Sequence, residues 1–283
     1  MSAAHLDALQ LSADRIGTMT DFYESYANLA RRRGETDSGR QAGLIEAASA
    51  LRSAGQWAMI LDSARAVELL IRSARIWDQL GHGFGTYLLA ALRPRDLRPG
   101  TRTLRRDQLI RVLAGRPLPD AENSATTSSP LLHPQQQAYL LLALAGDQDS
   151  AAIREYAQGS AHRLGVVPIG ALGMPLRIYW DVALHLMAGD DTGLEVVARH
   201  LDAMAASYAT AINSAMANEY LWFNAASPVE VGDVDIVAIA ALAARRFGTT
   251  SLRAALLDRA GREDPLTRVP LELAVEVAEY VTG

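Results

Sequence analysis

Cysteine and lysine are both absent from this chain of 283 residues. Without cysteine there can be no disulfide, no thiolate nucleophile and no Cys-ligated zinc or iron–sulfur centre. All 27 basic residues are arginines, and their planar forks suit carboxylate and phosphate partners better than an ammonium does. No apolar run approaches the roughly 20 residues needed to span a bilayer; the longest, such as Ile236–Ala244, has the length of a core helix. The opening stretch MSAAHLDALQLSADRIG lacks the basic start and apolar centre of a secretory signal, so the expected compartment is the cytoplasm. The chain contains no H-E-x-x-H, E-x-x-H, aspartate-rich calcium loop, G-x-S-x-G or Walker sequence.

With 49% hydrophobic and 21% charged residues, the composition is that of an ordinary globular protein. A chain of this length buries about three quarters of its unfolded surface, enough to be stable without staples. The net charge of −5 is too mild to name a partner. Helix starts and stops punctuate the whole sequence. Thr20 is placed to cap DFYESYANLARRR, with Gly34 ending it, and Asp37 to cap the next helix, with Gly55 ending it. A single helix is expected from Gln56 to Leu80, closed by Gly81, with Trp57, Leu61, Ala64, Val67, Ile71, Ala74 and Trp77 on one apolar face. No useful alternating strand pattern occurs, although GVVPIG could be briefly extended. The expectation is an all-α protein of about 12–13 helices, packed as helical hairpins in a bundle or short solenoid-like array. Residues 116–134, with four prolines and a Ser/Thr cluster, read as a flexible linker between N-terminal (1–115) and C-terminal (135–283) helical subdomains.

Candidate functional residues fall in three places. Asp181 and His185 stand one helical turn apart. They read either as a self-satisfying structural pair or as a general base with its orienter; the structural reading carries more weight because no nucleophile accompanies them. His200 is fifteen residues from His185, so no helical metal pair is expected. Asp190 and Asp191 follow Gly189 and are expected to cap the next helix. GHGFG (81–85) follows a helix rather than a strand and reads as a hairpin turn. The segment 93–116, with Arg95, Arg98, Arg102 and Arg105, is either a solvated face or a patch for an acidic protein surface or phosphates. Nucleic acid is disfavoured by the acidic chain and the absence of interleaved aromatics. Asn218, Glu219, Tyr220, Trp222 and Asn224 could line a binding groove or pack against the following helix.

Two resemblances add to this reading. LMAGDDTGLEVVARHLDAMAASY is similar to a stretch of an all-helical immunity-protein family of bacterial polymorphic toxin systems, the forty-ninth in the usual series, through Gly189, Asp190, Gly193, Leu194, Leu201 and Tyr208. PVEVGDVDIVAIAALAARRFG resembles the glycine turn and small apolar helix that follow there, with Gly232, Ala238, Ala240, Ala243 and Gly248, and QAYLLLALAGDQDSAAIREYA resembles an earlier hairpin. The family's histidine near Tyr208 is replaced, around Ala205, and the Arg-rich segment has no counterpart. The resemblance implies a non-enzymatic protein that binds another protein, a toxin domain, with no cofactor and no catalytic residues. IWDQLGHGF resembles the opening of a tetratricopeptide repeat, which implies a helical scaffold, but RPRDLRPG departs from the downstream pattern. A helical accessory protein or enzyme of a biosynthetic cluster, holding a small molecule in a groove, is the alternative from another class. The oligomeric state is not readable from the sequence.

Overall fold

The computed structural model describes residues 12–34, 40–97, 100–113, 134–145, 151–160, 168–169, 174–217, 233–258 and 265–283. The 116–134 linker lies outside them. In chain order the helices are α1 (Ala13–Arg33), α2 (Arg40–Ala58), α3 (Ser63–Gln79), α4 (Gly83–Leu92), a 3₁₀ turn (Pro94–Asp96), α5 (Thr101–Leu113), α6 (Pro134–Ala145), α7 (Ala151–Ser160), α8 (Leu176–Ala188), α9 (Asp191–Ala217), α10 (Val234–Phe247), α11 (Thr249–Leu257) and α12 (Pro265–Thr282). Among the described residues the only strands are Pro168–Ile169 and Met174–Pro175, an antiparallel pair ahead of α8. The fold is all-α. Pro168 and Ile169 of GVVPIG are extended in that pair, and the rest of that stretch lies outside the described residues.

Several helix boundaries differ from the sequence expectation, each for a local reason. α1 begins two turns early, where the Ser12 side chain accepts from the Arg15 backbone N–H at 3.2 Å. Thr20 is therefore inside the helix, and its hydroxyl donates back to the Ile16 carbonyl. Asp37 lies outside the described residues. Gly55 does not stop α2; it lets the helix approach α3, since a Cβ there would lie 2.7 Å from Leu70 Cγ. The expected helix from Gln56 to Leu80 is two helices, because Asp62 accepts from the Arg65 backbone N–H at 2.9 Å and starts α3 afresh. Leu61 and Ala64 are consequently exposed, while Val67, Ile71 and Ala74 are buried. In GHGFG only Gly81 is the turn, with φ of 78°; Gly83–Gly85 form the first turn of α4. α5 begins at Thr101 and takes in part of the Arg-rich stretch.

Consecutive helices pack side by side from α1 to α4; α4 then packs on α6, α6 on α8 and α8 on α9. The array closes around α10, which touches α4, α8, α9, α11 and α12. Every residue of α10 from Val234 to Ala244 is buried. A helix apolar on all sides belongs at the centre of a protein of this size. One continuous hydrophobic core runs from Ile16 to Ala278, so both halves of the chain share it. Several buried polar groups inside it are answered: the Ser73 hydroxyl donates to Ala48 O at 2.7 Å, the Trp180 indole to Ala157 O at 3.1 Å, and the Gly83 N–H to Gln136 Oε1 at 2.7 Å. At the surface, Arg65 and Arg72 from α3 hold Asp21 and Glu24 of α1. Burial opposes the Glu24 charge, yet hydrogen bonds from these arginines keep its pKa below the usual value.

Candidate functional site

The buried start of α10 is the chemically distinctive place in the fold. Asp233 caps the helix, with Oδ1 accepting from the backbone N–H of Asp235 at 2.7 Å and of Ile236 at 3.1 Å. Asp235 sits in the first turn, and both aspartates are only 4% exposed. Three tyrosines from three helices converge on them. Tyr179 of α8 donates its hydroxyl to Asp235 Oδ2 at 2.8 Å, and Tyr87 of α4 reaches the Asp235 backbone carbonyl at 3.4 Å. Tyr139 of α6 stacks on Tyr87 at 5.4 Å and meets Tyr179 edge-on at 6.2 Å. Phe84 closes the aromatic wall against Tyr139 at 5.3 Å, and the Arg52 guanidinium of α2 lies over Phe84 at 5.8 Å.

Burial sets the electrostatics of this cluster. It pushes the Asp235 carboxyl up to about 7, helped by the Asp233 charge beside it and opposed by the Tyr179 hydrogen bond and by Arg52. It raises Asp233 too, against the two backbone N–H groups that the carboxylate accepts. Burial also lifts all three tyrosines well above their usual value, so they remain hydroxyl donors at any physiological pH. Asp235 Oδ1 and Arg52 Nε are both buried atoms without a hydrogen-bond partner. The arginine forms no ion pair with either aspartate among the described residues, so it acts on them only from a distance. This arrangement can hold or release a proton in a dry interior. The sequence reading missed it. A usable signal was present: an Asp-Val-Asp start on a helix with no polar face has nowhere to go but inside. The tyrosines gave no signal, being scattered over three helices.

Asp181 and His185 do come together, but not as the expected mutual pair. His185 Nδ1 is 2.9 Å from the Asp181 backbone carbonyl and 3.4 Å from Asp181 Oδ1. The shorter carboxylate contact is made by His200 of α9, whose Nε2 is 2.6 Å from Asp181 Oδ2. The hairpin turn after Gly189 folds α9 back along α8, which joins residues nineteen apart that sequence spacing had separated. The site is also not interior: the Asp181 side chain is 45% exposed and that of His185 31%. Among the described residues no group of three His, Asp or Glu side chains could hold a metal ion. Asp190 behaves as expected, its Oδ1 accepting from the Gly193 N–H at 2.8 Å.

The arginine candidates separate. Arg95 is exposed on the 3₁₀ turn, where with Arg93 of the preceding linker and Arg245 of α10 it lines a cleft of about 490 Å³ that Tyr280 also borders. Arg93 is itself held by Glu68 at 3.2 Å. Arg102 and Arg105 fall within α5, and Arg98 lies outside the described residues. Asn218, Glu219, Tyr220, Trp222 and Asn224 also lie outside them; α9 is described to Ala217.

The comparisons with known proteins return nothing. No family model, no curated protein and no solved structure matches the chain. The functional reading therefore rests on this geometry and on the resemblance of short helical motifs. No described helix is long and apolar enough to cross a membrane.

Proposed function

We propose that the protein is a non-enzymatic protein-binding module that neutralises a cognate toxin domain. The observation that carries this reading is the outward face of α1. Phe22, Tyr26 and Leu29, at helical spacings of four and three, are 58%, 38% and 47% exposed. Among the described residues α1 stands at the end of the helix row and packs chiefly on α2, where Ile45 is also exposed. Aromatic and aliphatic side chains in one stripe make the kind of anchor that dominates protein–protein interfaces. Arg31 and Arg32 stand exposed in the last turn of the same helix, which favours a partner whose apolar groove has an acidic rim. The immunity-family resemblance supplies the partner class, and this stripe supplies a surface for it.

The test is protection. The chain is co-expressed with any toxin domain that a neighbouring gene encodes, and binding is measured by calorimetry. Wild type should rescue growth; Phe22→Arg/Tyr26→Arg should lose about 30-fold or more in affinity, the equivalent of about 2 kcal/mol, while its thermal midpoint stays in place. A wild-type chain that neither binds nor rescues would overturn the reading.

A second reading, a helical accessory protein that binds a small molecule, draws on the cleft between Arg95, Arg245 and Tyr280. Arginine forks would favour a carboxylate or phosphate there. Arg95→Ala would weaken such a ligand and leave toxin protection unchanged.

A further inference from the structure

The mutual positions of Asp233 and Asp235 have a consequence independent of any partner. Two carboxyl groups stand two residues apart in a dry site, one capping the helix and the other anchored by a single tyrosine hydroxyl. The ionisable groups acting on Asp235 are Asp233 from its own helix, Tyr179 from α8 and Arg52 from α2; Tyr87 from α4 and Tyr139 from α6 complete the surround as neutral hydroxyls. Helices α9, α11 and α12 bring no charged group that acts on it among the described residues. The one cation, Arg52, is too far to pair, and Asp235 Oδ1 points at no donor. Neither aspartate lines a cleft formed by the described residues, and the unpartnered Asp235 Oδ1 is an acceptor for the smallest ligand, a proton.

We propose that the Asp233–Asp235 pair keeps one proton while the first turn of α10 is seated and gives it up when that turn opens, so that rising pH opens this end of the core. Seated, the pair carries one negative charge, which the cap N–H groups, Tyr179 and distant Arg52 can tolerate. A second charge would have no counter-ion in a site that water does not reach. Open, both carboxylates are hydrated and the proton leaves.

The experiment is hydrogen exchange of the full chain from pH 5 to 8, following the amides of Ile236–Ala240 and correcting for the intrinsic pH dependence of exchange. Loss of one proton on opening makes the opening constant rise by up to about tenfold per pH unit, levelling off once the pair is fully ionised. Asp235→Asn keeps an acceptor for Tyr179 and cannot ionise; its opening constant should not vary with pH. A flat wild-type profile, or the same slope in Asp235→Asn, would overturn the proposal. Should that variant not fold, carbonyl ¹³C NMR of wild type decides: an aspartate carboxyl titrating near neutrality in the folded state supports the proton store, and all aspartates titrating near their ordinary range rule it out.

Discussion

His200, Asp181 and His185 show how little one residue's sequence neighbourhood says about its partner. Asp181 is satisfied across the hairpin by His200 at 2.6 Å, while His185 leans on a backbone carbonyl. Both contacts are partly exposed, so each is worth less than a buried hydrogen bond. His200→Ala is expected to lower stability by about 1 kcal/mol and His185→Ala by less, read as denaturation midpoints. The reverse order would mean that the carboxylate answers to His185 in solution. At the interior pair the pH dependence has a definite sign. Burial raises Asp235 from 3.8 to about 7 when folded, so the folded state holds more protons than the unfolded chain between those values. Its contribution is fully present below about pH 4 and is lost as pH rises to about 7, at no more than about 1.4 kcal/mol per pH unit. Urea midpoints of wild type should fall across pH 5–7 relative to Asp235→Asn, and the two curves should run parallel above about pH 8. Parallel curves from pH 5 upward would show that Asp235 is already ionised in the native state.

Two glycines separate packing from propensity at the scale of the helix. Gly85 in the first turn of α4 is pressed against α3: an added Cβ would lie 2.5 Å from Ala74 O and 2.7 Å from Trp77 C, both backbone atoms that cannot swing aside. Gly85→Ala should therefore push two helices apart and cost about 2–4 kcal/mol. Gly17, in the interior of α1, has nothing within 4 Å of the added Cβ. There the substitution only removes glycine's backbone freedom, and Gly17→Ala should stabilise by about 0.5–1 kcal/mol. Chemical denaturation of both variants checks the contrast; a neutral Gly85→Ala would show that α3 and α4 do not meet this closely. The sequence placed Gly85 in a hairpin turn and marked no role for Gly17, since close approach is a property of two helices at once.

The whole molecule is organised by α10, and its neighbours come from both halves of the chain. Tyr87, before the 116–134 segment, reaches the backbone of Asp235, after it. A core shared in this way should unfold as a unit: far-UV circular dichroism and tryptophan fluorescence are expected to report one coincident transition in urea. Two separated transitions would show that residues 1–115 and 135–283 fold independently.

What the sequence determined by itself is the class of element and most of its extent. Apolar residues at spacings of three and four make helices, and α6 opens on Pro134, whose missing N–H costs nothing at a first helical position. The absence of any polar face on residues 234–244 determined that α10 would be central, because no side of it can face water. Tertiary structure decided the rest. Whether Gly55 ends a helix or admits a neighbour depends on Leu70, fifteen residues away. Which histidine answers Asp181 depends on the turn at Gly189. That two aspartates share a dry interior with Tyr87, Tyr139 and Tyr179 depends on the meeting of α4, α6 and α8 over the start of α10. Periodicity along a chain records which face is apolar; only packing in three dimensions decides which residues meet across it.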